Sequence, residues 1–171
     1  MGVVESVGGG PSRTRTAAER KAIGDAGESL TVRFEQERLR SDGRPDLARE
    51  VRWIAQESDA YGFDVLSYRG ARHGGAPDEE LAIEVKSSTL PLSSRFHFFL
   101  TGHEWKIATQ LDERYVFYFW PGVDPGPPAR SRQREPIMAT GETVAVHLPG
   151  GPPCGEECAW TAASVYLSAA A

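Results

Sequence analysis

At 171 residues, with 40% hydrophobic and 25% charged side chains, the chain is long enough for one domain with a real core and has the make-up of a globular protein. No run approaches the ~18 apolar residues of a membrane span, and Met1-Gly2-Val3-Val4-Glu5 lacks the basic start and apolar core of a signal peptide, so a cytoplasmic location with no membrane partner is expected. The formal net charge of -5 weighs against a general polyanion binder, although Arg13, Arg15, Arg20 and Lys21 cluster near the start and Arg130, Arg132 and Arg134 alternate later.

Residues 1–15, with Gly8-Gly9-Gly10-Pro11-Ser12 and little that is apolar, read as a mobile arm. Residues 16–171 read as a single domain, with a core over about 16–120 and a C-terminal extension over about 121–171. Thr16-Ala17-Ala18-Glu19 has the form of a capping box, and Ile23, Ala26, Leu30 and Phe34 recur at helical spacing to about Leu39, where Ser41-Asp42-Gly43 stops the helix. Gly43-Arg44-Pro45 reads as a turn. Val51–Ile54 is expected as a first strand, Glu57–Ala60 as its turn, Phe63–Tyr68 as a second strand and Leu81–Ser87 as a third.

Past Pro91, Arg95–Leu100 returns as a short extended segment, and Thr101-Gly102-His103-Glu104 is a second capping box that opens a helix bearing Trp105, Ala108 and Leu111. Glu104 is accordingly assigned to the cap. Arg114–Trp120 is nearly continuous in aromatic and β-branched residues, as in a strand buried on both faces. Glu142–Leu148 alternates as a strand, and Ser164–Leu167 is a weaker strand or helix. Cys154 and Cys158 are too few for a structural zinc and read as free thiols, with a local disulfide as the alternative. No Gly-rich phosphate loop, Ser/His/Asp spacing or dinucleotide fingerprint is present, which removes kinases, P-loop ATPases and Rossmann oxidoreductases.

The chemistry-bearing stretch is Ala82-Ile83-Glu84-Val85-Lys86-Ser87. Strand alternation turns Glu84 and Lys86 to one face, and Ile83 and Val85 to the other. Asp64 is an acid inside an apolar strand, and the turn-rich residues 69–80 suggest a hairpin that brings it near Glu84. Two facing carboxylates repel unless a cation stands between them, and hard oxygen donors of this kind suit Mg²⁺.

An acid in one strand followed by Glu84-x-Lys86 in the next resembles the PD-(D/E)xK nuclease superfamily. Gly27-Glu28, Phe63-Asp64-Val65-Leu66-Ser67, Ile83-Glu84-Val85-Lys86-Ser87 and Phe98-Phe99-Leu100-Thr101-Gly102-His103-Glu104-Trp105 resemble one branch more closely, the Mrr-like domain at the C-terminus of the plant protein NO VEIN; the likeness covers roughly residues 20 to 120. It implies an α/β restriction-endonuclease-like core, with helix, three strands, helix and strand in order and a mixed central sheet flanked by helices. It also implies a Mg²⁺-dependent DNA endonuclease, with Mn²⁺ as a substitute, in a restriction or phage-defence setting. Asp64, Glu84 and the Val85 carbonyl would hold the metal, and Lys86 would position or deprotonate the attacking water. Glu28 would reach the site from the first helix, with Glu35 on the same flank as the alternative. DNA, duplex or branched, is the implied substrate; a partner protein supplying recognition or helicase activity and a homodimer both stay open. The alternative reading is a catalytically inactive nucleic-acid-binding or protein-interaction module of the same fold.

Overall fold

The computed structural model describes residues 15–92, 95–148 and 162–168; most of the expected mobile arm and the two cysteines fall outside them. Helix α1 (Ala17–Ser41) starts at the capping box read from the sequence, with Glu19 N–H donating to Thr16 Oγ1 at 3.1 Å and Thr16 N–H to Glu19 Oε2 at 2.7 Å. Along the chain follow α2 (Pro45–Glu50), β1 (Arg52–Trp53), β2 (Val65–Tyr68), β3 (Glu80–Ser87) and β4 (Arg95–Thr101). Then come α3 (Gly102–Leu111), β5 (Tyr115–Trp120), β6 (Val123–Asp124), β7 (Arg130–Ser131), β8 (Ile137–Thr140), α4 (Gly141–Ala145) and β9 (Ala162–Ser168).

Five strands form the central sheet in the order β1-β2-β3-β5-β8, with β3 and β5 parallel and the other neighbours antiparallel. This mixed sheet with helices on both faces is a restriction-endonuclease-like core. Every residue of β5 is buried, as its unbroken apolar run requires. Val116, Tyr118 and Trp120 join Ile83 and Val85 under α1, while Tyr115, Phe117 and Phe119 join Ala82 under α3, α4 and the separate β4-β9 pair.

The buried stripe of α1 departs from expectation. Ile23 is buried, but Leu30 and Phe34 are only half-buried, and the helix turns Gly27, Thr31, Glu35 and Arg38 to the sheet. Gly27 sets this face: a Cβ there would lie 1.7 Å from Ser87 Oγ and 2.9 Å from Ser87 Cβ. The polar groups so buried are satisfied in full. Thr31 Oγ1 donates to the Gly27 carbonyl at 2.9 Å and accepts from Trp120 Nε1 at 2.8 Å. The Glu35 carboxylate accepts from Arg38 at 2.6 and 3.0 Å, Ser67 Oγ at 2.5 Å and Tyr118 O–H at 2.9 Å.

Two other expectations are corrected. Pro45 opens the short helix α2 instead of closing a turn, because proline at the first helical position forfeits only an N–H that has no partner there. The expected strand over Glu142–Leu148 is helix α4, capped by Thr140 Oγ1 on Thr143 N–H at 3.3 Å, and the strand lies just before it as β8. Arg95–Leu100 is extended as expected, and β4 pairs with β9 outside the central sheet. Among the described residues no helix is long and apolar enough to cross a membrane.

Two glycines one helical turn apart give a contrast. Gly24→Ala meets only Glu28 Oε1, at 3.7 Å, and should stabilise the protein by up to about 1 kcal/mol through helix propensity. Gly27→Ala must separate α1 from β3 and should cost about 1–3 kcal/mol despite the same propensity gain, read as a lower urea midpoint.

Candidate active site

Asp64 stands one residue before β2, just after Gly62 turns the chain in the left-handed region at φ 73°. The strand expected from Phe63 therefore begins only at Val65. The Asp64 N–H donates to the Ile83 carbonyl at 3.0 Å and its Oδ2 accepts from Val85 N–H at 2.7 Å, so one residue grips β3 on either side of Glu84. Val85 thus enters the site through its N–H, which anchors Asp64.

On β3, alternation puts Glu84 and Lys86 in contact. Lys86 Nζ lies 2.7 Å from Glu84 Oε1 and 3.2 Å from Glu104 Oε1, all three side chains being at most 20% exposed. Glu104 does cap α3, with Oε2 accepting from Thr101 N–H at 2.7 Å, but its second oxygen is left for the lysine. Tyr115 O–H donates to the Gly62 carbonyl at 2.8 Å and lies 3.2 Å from Glu84 Oε2, so its single proton is shared between them.

The electrostatics follow from two acids facing one ammonium. Burial pushes Glu84 well above the usual carboxylate range; Lys86 pulls it back, and Asp64 and Glu104 push it up again. For Glu104 burial also acts upward, but Lys86 and the Thr101 N–H outweigh it and the net shift is down. Burial would lower Lys86, yet Glu84 and Glu104 together raise it and keep it charged. The same ammonium thus faces one carboxyl shifted up by burial and one shifted down by the lysine and the cap.

Glu28, on the half-buried flank of α1, accepts from Trp53 Nε1 at 2.5 Å. Burial first, then the charge of Asp64, raises its pKa from 4.5 to about 7, while the Trp53 bond lowers it. Glu35, the alternative helix acid, is closed into the Arg38, Ser67 and Tyr118 network on the α1 face and does not reach this cleft. Asp46 lies on α2, paired with Arg44 at 2.7 Å. The later arginines divide as well: Arg130 and Arg134 line a shallow cleft with Arg33, whereas the Arg132 stem lies against Gly122.

Among the described residues, no three His, Cys, Asp or Glu side chains form a group placed to hold a metal ion. Glu84 is turned to Lys86 and Tyr115, and Asp64 Oδ2 to Val85. Glu104, Tyr115 and Trp53 were not legible as site residues. Only Glu104 gave a signal, because a capping carboxylate uses one of its two oxygens.

The family model described as Protein NO VEIN, C-terminal matches residues 27–125, more than half of the chain. The chain belongs to this family. No curated protein and no solved structure matches it. The NO VEIN C-terminal span opens at Gly27-Glu28 and closes just past β6, so it encloses Asp64, Glu84, Lys86 and Glu104. Strand β8, which completes the central sheet, and β9, which pairs with β4, lie beyond it.

The raised pKa of Glu28 predicts a pH dependence of stability. The folded state binds its proton more tightly than the unfolded chain, so this contribution is full below about 4.5 and is lost as pH rises through about 7. Glu28→Gln keeps an oxygen for Trp53 and removes the charge. Thermal unfolding in chelator should show the variant melting a few degrees higher at pH 8 and equal to the parent at pH 4.5.

Proposed function

We propose that the chain is a metal-dependent phosphodiesterase acting on DNA. The observation that carries this reading is the gathering of Asp64, Glu84 and Lys86 at one end of the β2-β3 hairpin, with Asp64 bonded to Val85 between the other two. Family membership supports it, and the restriction or phage-defence setting rests on that analogy.

The donor set fits a hard cation in kind. Asp64 raises the pKa of both Glu28 and Glu84, which marks a negative potential that one lysine does not cancel. Mg²⁺ takes one or two carboxylates and completes its shell with water and phosphate, so a cage of three acids is not required. Asp64 and Glu84, with the Val85 carbonyl, would hold the ion. Bound there, it would polarise a phosphoryl oxygen and lower the pKa of water, with Mn²⁺ a workable substitute.

The protein groups divide the remaining work. Lys86, kept charged by two acids, is unfit to take a proton near neutrality; it orients the attacking water and offsets charge on the non-bridging oxygens. Glu104 is a positioning residue for that ammonium. Glu28, titrating at about 7, is suited to accept the proton of the attacking water as the new P–O bond forms. The bond to the leaving oxygen breaks in the same displacement, and solvent protonates the alkoxide.

The second reading, an inactive module of the same fold, is favoured by the closure of Lys86 between Glu84 and Glu104 and by the lack of a three-acid group among the described residues. Asp64→Asn discriminates, because it keeps an oxygen for Val85 N–H while losing the charge. With Mg²⁺ or Mn²⁺ the parent should nick plasmid at a rate that rises with pH through about 7, and Asp64→Asn should be slower by about a hundredfold or more. Divalent metal should raise the melting temperature of the parent more than that of the variant. A parent that cleaves nothing and melts identically in chelator and in millimolar metal belongs to the inactive module.

A further inference from the structure

The β4-β9 pair alternates cleanly. Phe96, Phe98, Leu100, Ala163, Val165 and Leu167 face the core, so the register places His97 opposite Tyr166 and Phe99 opposite Ser164 on the outer face. There the His97 ring stacks on Tyr166 at 4.5 Å and 23° between planes, and Phe99 stands edge-on to His97 at 5.0 Å. His97 Nε2 is fixed by Ser164 Oγ at 2.5 Å. Phe99 is 65% exposed and Tyr166 51%. A single exposed ring is ordinary, but adjoining rings held in register by a strand pair form a surface with a purpose.

What borders this surface narrows the purpose. Phe99 and His97 line a cleft of about 410 Å³ whose lining also includes Lys86 of the candidate active site and Arg15 and Arg20. Arg15 donates to Thr89 Oγ1, and Arg20 Nη1 to the Arg15 carbonyl at 2.8 Å, so both are held by neutral partners. No Asp or Glu is among the described residues lining the cleft, although the chain as a whole carries -5. Exposed rings beside guanidinium groups, with no acid among the described lining residues, match a strand that offers a flat base and a phosphate in each repeat. In a duplex the base faces are already stacked on one another, and only an unpaired strand has them free.

We infer that the outer face of β4-β9, with Arg15 and Arg20, is a stacking platform for unpaired DNA that leads the strand towards Lys86. The direction of travel rests on the phosphodiesterase reading; the binding does not. The surface thereby selects single strands, overhangs or frayed ends over blunt duplex.

Fluorescence anisotropy with a labelled oligo-dT strand and a blunt duplex of equal length, in Ca²⁺, tests it on the full chain. The parent should bind the single strand at least about tenfold more tightly. Phe99→Ala/Tyr166→Ala should lose about tenfold or more for the strand, with duplex affinity and melting temperature unchanged, and Phe99→Trp should retain binding where Phe99→Leu does not. Arg20→Ala should reduce the salt slope by about one for the strand. Equal affinity of the parent for strand and duplex, or parent-like binding by the double variant, overturns the platform. Single-strand preference in a parent that cleaves no substrate with Mg²⁺ or Mn²⁺ upholds the platform and sinks the phosphodiesterase reading instead.

Discussion

A buried ammonium costs several kcal/mol unless its charge is met, and Lys86 is met twice, by Glu84 two residues away on β3 and by Glu104 in the first turn of α3. The second contact joins elements that the chain leaves far apart. Helix α3 is part of the crossover between the parallel strands β3 and β5, and its Trp105 and Ala108 lie over the face that Phe117 and Phe119 present. The Lys86–Glu104 bond fixes the start of that helix against the end of β3, and the packing below it follows. Removing the ammonium would leave two acids facing each other in a buried cleft. The same atom that organises the candidate chemistry therefore also holds the crossover in place.

Helix α1 supplies two acids to the sheet, and the difference between them shows how environment assigns roles. Glu28 and Glu35 are seven residues apart, two turns of helix, and so project in nearly the same direction. Beneath Glu35 the sheet offers Ser67 and Tyr118, and Arg38 closes over it, so every lone pair has a donor and the group is part of the framework. Beneath Glu28 it offers one donor, Trp53, and one repelling acid, Asp64, and the carboxyl is left poised near neutrality. Glu35 is thus tied into the framework by the donors around it, whereas Glu28, with one donor and an acid beside it, keeps a raised pKa.

Elements whose signal is local were legible in the sequence. Both capping boxes form as spelled, the aromatic run of β5 is buried on both sides, and alternation brings Glu84 to Lys86. Signals that depend on distant partners were not. Val144 and Val146 mimic strand alternation, yet Thr140 caps a helix there, and Val146 ends 72% exposed. Glu35 reads as the alternative helix acid for the site until Ser67 and Tyr118, from two separate strands, close on it. The pairing of β4 with β9, more than sixty residues apart, leaves no mark in either segment beyond its own period of two. Even for Asp64 the local pattern misled slightly, since the turn at Gly62 delays the strand and frees the carboxylate to reach along β3.

The formal charge of -5 also changes meaning once the contacts are known. Asp25, Glu35, Asp42, Asp46, Glu57, Glu79, Glu84 and Glu104 each stand beside a lysine or arginine, so much of the acidity is met within the fold. Fields at a surface are set by what lies within a Debye length of about 8 Å, and a net count over the whole chain does not describe them. Along the Lys86 cleft the lining holds Arg15 and Arg20 with no carboxylate among the described residues. An acidic total is therefore compatible with a cleft lining that carries Arg15, Arg20 and Lys86, and the net charge of the whole chain does not by itself decide against a polyanionic ligand there.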